Sequence, residues 1–343
     1  MPRLCRGRGD VSIYQGKNAR RLVCLKSPGY GTASKSGQTG DEFPEMVYNH
    51  LVFLLWRLAA EMPRFGLAAS DSWLERWFIL LKALPDVRWM ETGFLERGQI
   101  PRLARRLKET AVSWGIHFPL IKDEAWLALV EEGHSPAKRV RLAEMVRESF
   151  YLGAEMGASY INLHLPFYMR GVPDEDFRAI VTEEAPMWAQ AGRETGLAVH
   201  LEHARLRPGL FETAEDFLVI CRQFPDFGMC LDPGHLAAQV VEGRLQEDQY
   251  SAFLTAVAPY AAAVHVYQFR REDIIMHEGR AEIIRCPVVP DLGPDGGWAD
   301  LPGILGPIIA ARPDCLLILE HGYGQGAAAV QAEIEWLSRE IPG

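Results

Sequence analysis

From residue 62 onward, short runs of apolar and β-branched residues alternate with longer segments whose apolar positions recur every three to four residues. That alternation predicts repeated βα units around a parallel sheet. The first predicted strand is Arg64–Ala69, followed by a helix over 73–84; the second covers 87–94, with a helix over 101–114 that Gly115 would end. A third strand over 116–120 leads to a helix over 136–156 whose Leu142, Met145, Val146 and Phe150 share one face. A fourth strand at Tyr160–Leu165, a helix at Asp174–Thr195 and a fifth strand over 197–202 follow, and Thr213-Ala214-Glu215-Asp216 reads as a capping box. The sixth strand is Phe227–Leu231 and, after a helix over 250–257, the seventh covers 262–269. A polar, Gly/Pro-rich excursion then runs to Trp298, and Asp300-Leu301-Pro302 opens another helix. An eighth strand over 315–320 precedes a last helix at Ala327–Glu340. Eight units in about 280 residues predict an α/β fold, a single (β/α)₈ barrel over 62–343.

Residues 1–61 fall outside this count. They are rich in Gly, Ser, Lys and Arg up to Asp41, and are expected to be a poorly ordered N-terminal extension apart from a helix over 46–60. No stretch approaches the 18 uninterrupted apolar residues of a spanning helix, and no apolar segment with a small-residue cleavage site follows the N-terminal arginines. The six cysteines show no C-x-x-C spacing, and four lie in apolar runs typical of reduced, buried thiols. These features lead us to expect a cytoplasmic protein without membrane partners. A formal net charge of −9 disfavours a long phosphate backbone as partner. Oligomeric state is left open, a homo-oligomer included.

The chemistry lies where the strands end. In a (β/α)₈ barrel the strand C-termini converge on one mouth, and His117, His164, Glu202, Asp232 with His235, His265 and Glu320 fall at the ends of strands three to eight. Singly, each has an ordinary explanation. A strand-end histidine is more often a hydrogen-bonded structural residue, and Asp232-Pro233-Gly234-His235 reads equally as a turn. Glu202 and Glu320 carry more information, because each follows an apolar run and would enter the mouth needing a cation or hydrogen bonds to offset desolvation. Mixed carboxylate and imidazole donors suit Zn²⁺, Mn²⁺, Co²⁺ or Fe²⁺ better than Ca²⁺. His200, two residues before Glu202 on the same strand face, is left as filler of the barrel interior. Arg271, with Arg270 beside it, could reach an anionic or polyhydroxyl substrate. Trp73, Trp89, Phe118, Phe167 and Trp298 are aromatic candidates for lining the pocket.

Four segments carry a resemblance: Val199-His200-Leu201-Glu202, Cys230-Leu231-Asp232-Pro233-Gly234-His235, Val264-His265-Val266 and Ile318-Leu319-Glu320. With the Gly-rich turn at Leu292-Gly293-Pro294-Asp295-Gly296-Gly297, they resemble the xylose isomerase-like TIM barrel superfamily. That superfamily includes sugar phosphate isomerases and epimerases and the endonuclease IV type of abasic-site nuclease. The resemblance implies that Glu202, Asp232, His265 and Glu320 hold a divalent metal ion (Mn²⁺, Zn²⁺, Co²⁺ or Mg²⁺), with His235 beside it touching substrate.

Its epimerase-like branch implies isomerisation or epimerisation of a sugar or related polyol through a metal-stabilised enediolate. Glu202 and Glu320 would exchange the proton, and Arg271, His117 and His164 would contact substrate. Its nuclease-like branch implies a di-zinc phosphoesterase, with His117 and His164 as extra ligands sharing Glu202. The substrate would then be abasic DNA or a small phosphodiester such as a cobamide nucleotide loop. That branch also brings an Asp-x-His pair after strand seven, where this chain has Glu272-Asp273 and a distant His277. A barrel that only binds a ligand is the third reading.

Overall fold

The computed structural model describes residues 64–69, 74–110, 112–122, 136–165, 174–203, 213–277, 280–288, 293–320 and 326–341. All belong to the larger of two units, His50–Gly343. The predicted extension over 1–61, with its helix over 46–60, lies outside the described residues, as do Trp73 and Phe167.

Eight parallel strands close into a barrel: β1 (Arg64–Ala69), β2 (Val87–Thr92), β3 (Ser113–His117), β4 (Tyr160–Leu165), β5 (Ala198–His203), β6 (Phe227–Leu231), β7 (Ala261–Val266) and β10 (Leu316–Leu319). Around the ring the order is β1-β10-β7-β6-β5-β4-β3-β2, each strand beside its neighbour in the repeat. The outer layer contains α1 (Leu74–Ala83), α2 (Ile100–Thr110), α3 (Pro136–Glu155), α4 (Asp174–Thr195), α5 (Ala214–Gln223), α6 (Pro233–Val241), α7 (Glu247–Val257), α8 (Leu301–Ala311) and α9 (Ala327–Glu340). Their apolar faces pack on the strands: Leu142, Met145, Val146 and Phe150 of α3 and Val330, Ile334 and Leu337 of α9 are all buried. None of the described helices is long and apolar enough to cross a membrane. Cys221, Cys230, Cys286 and Cys315 carry free thiols.

Local chemistry accounts for several boundaries. The predicted capping box opens α5: the Thr213 hydroxyl accepts from the Asp216 N–H, and the Asp216 carboxylate accepts from the Thr213 N–H at 3.0 Å. Asp300 caps α8 by accepting from the Gly303 N–H at 3.1 Å. Three features depart from the sequence expectation. Helix α2 stops at Thr110 and β3 begins at Ser113, three residues ahead of its predicted start, with Gly115 inside the strand and not at a helix end. A Cβ on Gly115 would lie 2.1 Å from the Tyr160 ring, so the glycine makes room for a tyrosine on the neighbouring strand. Asp232-Pro233 is no mere turn: Asp232 caps α6 and Pro233 takes the first helical position, where a missing N–H costs nothing. The long excursion contains a hairpin, β8 (Ile275–His277) with β9 (Arg280–Glu282).

Candidate metal centre

Parallel strands aim their C-terminal side chains into one mouth, and there the structure brings together His117, His164, Glu202, Asp232, His235, His265 and Glu320. Glu202, Asp232 and His265 are about 1% exposed and Glu320 9%. Burying carboxylates at that depth requires each oxygen to find a donor or a cation. The four share one pattern, in which one atom is anchored by protein and the other is left without a hydrogen bond. On Glu202, Oε2 accepts from Asn162 Nδ2 at 2.6 Å and lies 2.9 Å from His164 Nε2, while Oε1 has no partner. On Asp232, Oδ1 accepts from the His235 N–H at 3.0 Å and the Tyr267 hydroxyl at 2.6 Å, while Oδ2 has none. On His265, Nε2 meets Glu91 Oε1 at 2.9 Å and Nδ1 is free. On Glu320, Oε1 is 3.1 Å from an Arg285 nitrogen and Oε2 is unpartnered.

The unpartnered atoms of Glu202, His265 and Glu320 face one another. His265 Nδ1 lies 3.5 Å from Glu202 Oε1 and 3.6 Å from Glu320 Oε2, and donor atoms of Asp232, His265 and Glu320 all fall within 4.8 Å of each other. Donors about 2.1 Å from a tetrahedral ion are spaced about 3.4 Å apart, so His265 already stands at ligand spacing from Glu202 and from Glu320, and Asp232 joins them through the overlapping group it forms with His265 and Glu320. The electrostatics point the same way. Burial pushes the Glu202 carboxyl up, but His164 and His265 hold it well below the usual carboxylate range. Burial raises Glu320 to about 7 against the pull of Arg285 and His265. Burial also opposes charge on His265, yet Cys230, Glu202, Glu91 and Glu320 keep its pKa well above the imidazole range. A field that retains a proton there also favours a cation.

His235 stands beside this set. Its Nδ1 lies 2.9 Å from the His203 carbonyl, which can only accept, so Nδ1 carries the hydrogen and Nε2 presents its lone pair to the mouth. A Cβ on Gly234 would lie 2.2 Å from the Tyr267 hydroxyl, so the glycine lets that tyrosine reach Asp232. On the far side of Glu202, His117 Nε2 is 3.8 Å from Oε2, and the His117 and His164 rings meet edge to face at 4.5 Å.

Arg271 does not join the site: its guanidinium pairs with Glu247 and lies over the Tyr250 ring at 5.3 Å, both on α7. The guanidinium that reaches the acids is Arg285, beyond the hairpin. It stacks on Tyr267 at 5.1 Å and approaches Asp232 Oδ2 at 3.7 Å and His235 Nε2 at 3.5 Å. Nothing in its sequence spacing pointed to it. Glu91 was also missed, although a carboxylate at the penultimate position of a strand, β2, was the available signal. Trp89 packs near Tyr160 at 6.2 Å and lines a cavity at the opposite end of the barrel, with Arg64, Arg88 and Ser113. Phe118 is wholly core, and Trp298 lies under Arg270 at 4.9 Å. His200 stacks on Tyr160 at 4.3 Å inside the barrel.

His203 behaves differently from its neighbours. It is enclosed by Phe217 and Phe253, and neither ring nitrogen has a partner. Burial, helped by His235, pushes its pKa down to about 3. The folded ring thus refuses a proton that the unfolded chain accepts below about 6.5. The folded state binds fewer protons, and stability falls as pH drops from 6.5 towards 3. His203→Phe should remove about 2 kcal/mol of the loss between neutral pH and about pH 5, read from urea midpoints. An unchanged pH dependence would contradict a neutral, enclosed ring.

A profile described as the xylose isomerase-like TIM barrel matches residues 91–340. No curated protein matches the chain. Among solved structures, D-psicose 3-epimerase from Clostridium cellulolyticum H10 is 14% identical at a TM-score of 0.53, covering 81% of this chain and 95% of its own. A 3-keto-D-glucoside 4-epimerase from E. coli is 14% identical at 0.55, covering 81% and 98%. An AP endonuclease, family 2, from Brucella melitensis is 15% identical at 0.55, covering 82% and 100%.

Proposed function

Because the chain belongs to the xylose isomerase-like TIM barrel family, we propose that its mouth is the active site of a divalent-metal-dependent isomerase or epimerase of sugars or related polyols. One observation carries this reading: Glu202, Asp232, His265 and Glu320 each have one atom anchored by protein and one unpartnered, and His265 Nδ1 lies 3.5 Å from Glu202 Oε1 and 3.6 Å from Glu320 Oε2, with a donor atom of Asp232 within 4.8 Å of His265 and Glu320. These four residues would hold the ion. When bound, a divalent ion supplies Lewis-acid polarisation of a substrate carbonyl and its neighbouring oxygen, acidifying the adjacent C–H bond.

The residues around it supply the remainder. One of Glu202 and Glu320 accepts the proton from carbon, and the other delivers a proton to the opposite face of the same carbon. One C–H bond breaks and another forms, with no net oxidation. Arg285, in the place foreseen for Arg271, donates to the oxygen that gains negative charge. His235 Nε2 accepts from a substrate hydroxyl and so helps fix which carbon faces the carboxylates. The epimerase folds among the structural neighbours fit this reading.

Proton exchange with solvent tests it whichever sugar is the substrate. A panel of ketoses incubated in D₂O with Mn²⁺-loaded protein should acquire deuterium beside the carbonyl, detected by NMR as loss of that proton signal. No exchange across the panel, together with hydrolysis of a phosphodiester probe, would overturn it.

A second reading rests on His117, His164 and Glu202, whose donor atoms also lie within 4.8 Å of one another and could hold a second ion in a phosphoesterase. Against it, Glu202 Oε2, the oxygen facing those histidines, is already hydrogen-bonded by Asn162 and lies 2.9 Å from His164 Nε2. That arrangement favours a single ion.

A further inference from the structure

Barrel interiors are ordinarily filled by layers of branched apolar side chains. Here a polar chain crosses the interior: the Tyr160 hydroxyl donates to Glu91 Oε2 at 2.8 Å, and Glu91 Oε1 meets His265 Nε2 at 2.9 Å. Glu91 and His265 are about 1% exposed and Tyr160 2%. The three side chains come from β2, β4 and β7, and no two of these strands are adjacent in the ring. The chain is therefore no accident of neighbouring strands. Space for it has been made, since Gly115 leaves the volume that the Tyr160 ring occupies, and His200 stacks on that ring at 4.3 Å.

We propose that Glu91, steadied by Tyr160, is a positioning residue that holds His265 with its hydrogen on Nε2, so that the Nδ1 lone pair is aimed at Glu202, Asp232 and Glu320. The proposal rests on the metal-site reading above. Both oxygens of Glu91 are engaged, one by the Tyr160 hydroxyl and the other by His265. A histidine that donates one ring nitrogen to a buried carboxylate presents the other as a more basic and oriented ligand, and losing such a partner commonly weakens metal binding about 10- to 100-fold. A rival role exists, because Glu91, His117 and His265 also bring donor atoms within 4.8 Å and could themselves bind an ion.

The test is titration of Zn²⁺ and Co²⁺ against a chromophoric chelator, with the wild type, Glu91→Gln and Tyr160→Phe. Wild type should bind one ion. Glu91→Gln should still bind one ion, about 10- to 100-fold more weakly, with a displaced visible Co²⁺ spectrum. Tyr160→Phe, which keeps Glu91, should weaken binding by roughly fivefold. Affinity within twofold of wild type and an unaltered Co²⁺ spectrum in Glu91→Gln would overturn the positioning role while leaving the metal site standing. A wild type that binds two ions, of which Glu91→Gln loses one and keeps the other at unchanged affinity, would make Glu91 a ligand instead. A wild type that binds no ion would overturn the site itself. Should Glu91→Gln fail to fold, ¹⁵N NMR of Zn²⁺-loaded wild type decides: a hydrogen on His265 Nε2 supports the proposal, and one on Nδ1 refutes it.

Discussion

Glu320→Gln should lower turnover of any sugar substrate by about 10²- to 10⁴-fold, the usual worth of a positioned general acid or base. The amide keeps the volume and can still accept from Arg285, so the fold should survive, and unchanged circular dichroism and urea midpoint would establish that. Glu202→Gln should be at least as damaging, because the same side chain offers an unpartnered oxygen to the ion and accepts from Asn162 on the other. The two variants should differ in metal content. Glu320→Gln retains three of the four donors, whereas Glu202→Gln disturbs the hydrogen bonding of Asn162 and His164 as well. Steady-state rates beside atomic absorption give both readouts. Retained activity in both variants would remove the two carboxylates from the chemistry.

Metal removal should have the second large effect. The mouth buries Glu91, Glu202, Asp232 and Glu320 close together, and Arg285 is the arginine that the structure sets against the last two. An ion bound only by the folded state stabilises it by about 2.7 kcal/mol when its concentration is a hundredfold above Kd. Dialysis against a chelator should therefore lower Tm by several °C and abolish activity, with Mn²⁺, Co²⁺ or Zn²⁺ restoring both. About one equivalent per chain is expected from the Oε2 contacts of Glu202. Two tightly held zinc ions would favour the phosphoesterase reading, and a Tm indifferent to chelator would contradict a metal centre.

The site was readable in part because a (β/α)₈ barrel converts sequence position into spatial position. Once Glu202, His265 and Glu320 are placed at strand C-termini, closure of the sheet brings them to one mouth whatever the loops do. Boundaries were less readable. Gly115 looks the same to local pattern whether it ends a helix or sits in a strand, and only the Tyr160 ring over its Cα decides between them.

What the sequence determined by itself is the eightfold alternation and the register of polar residues at the strand ends, because strand periodicity and helix periodicity are properties of neighbouring residues. Tertiary structure alone decided which atoms of those residues are left free. The engagement of Glu202 Oε2 by Asn162, of His265 Nε2 by Glu91 and of Glu320 Oε1 by Arg285 joins residues 40, 174 and 35 positions apart. Arg285 replaced Arg271 at the mouth for the same reason: a hairpin's path sets where a long side chain ends, and contacts across a closed barrel leave no local trace in the chain.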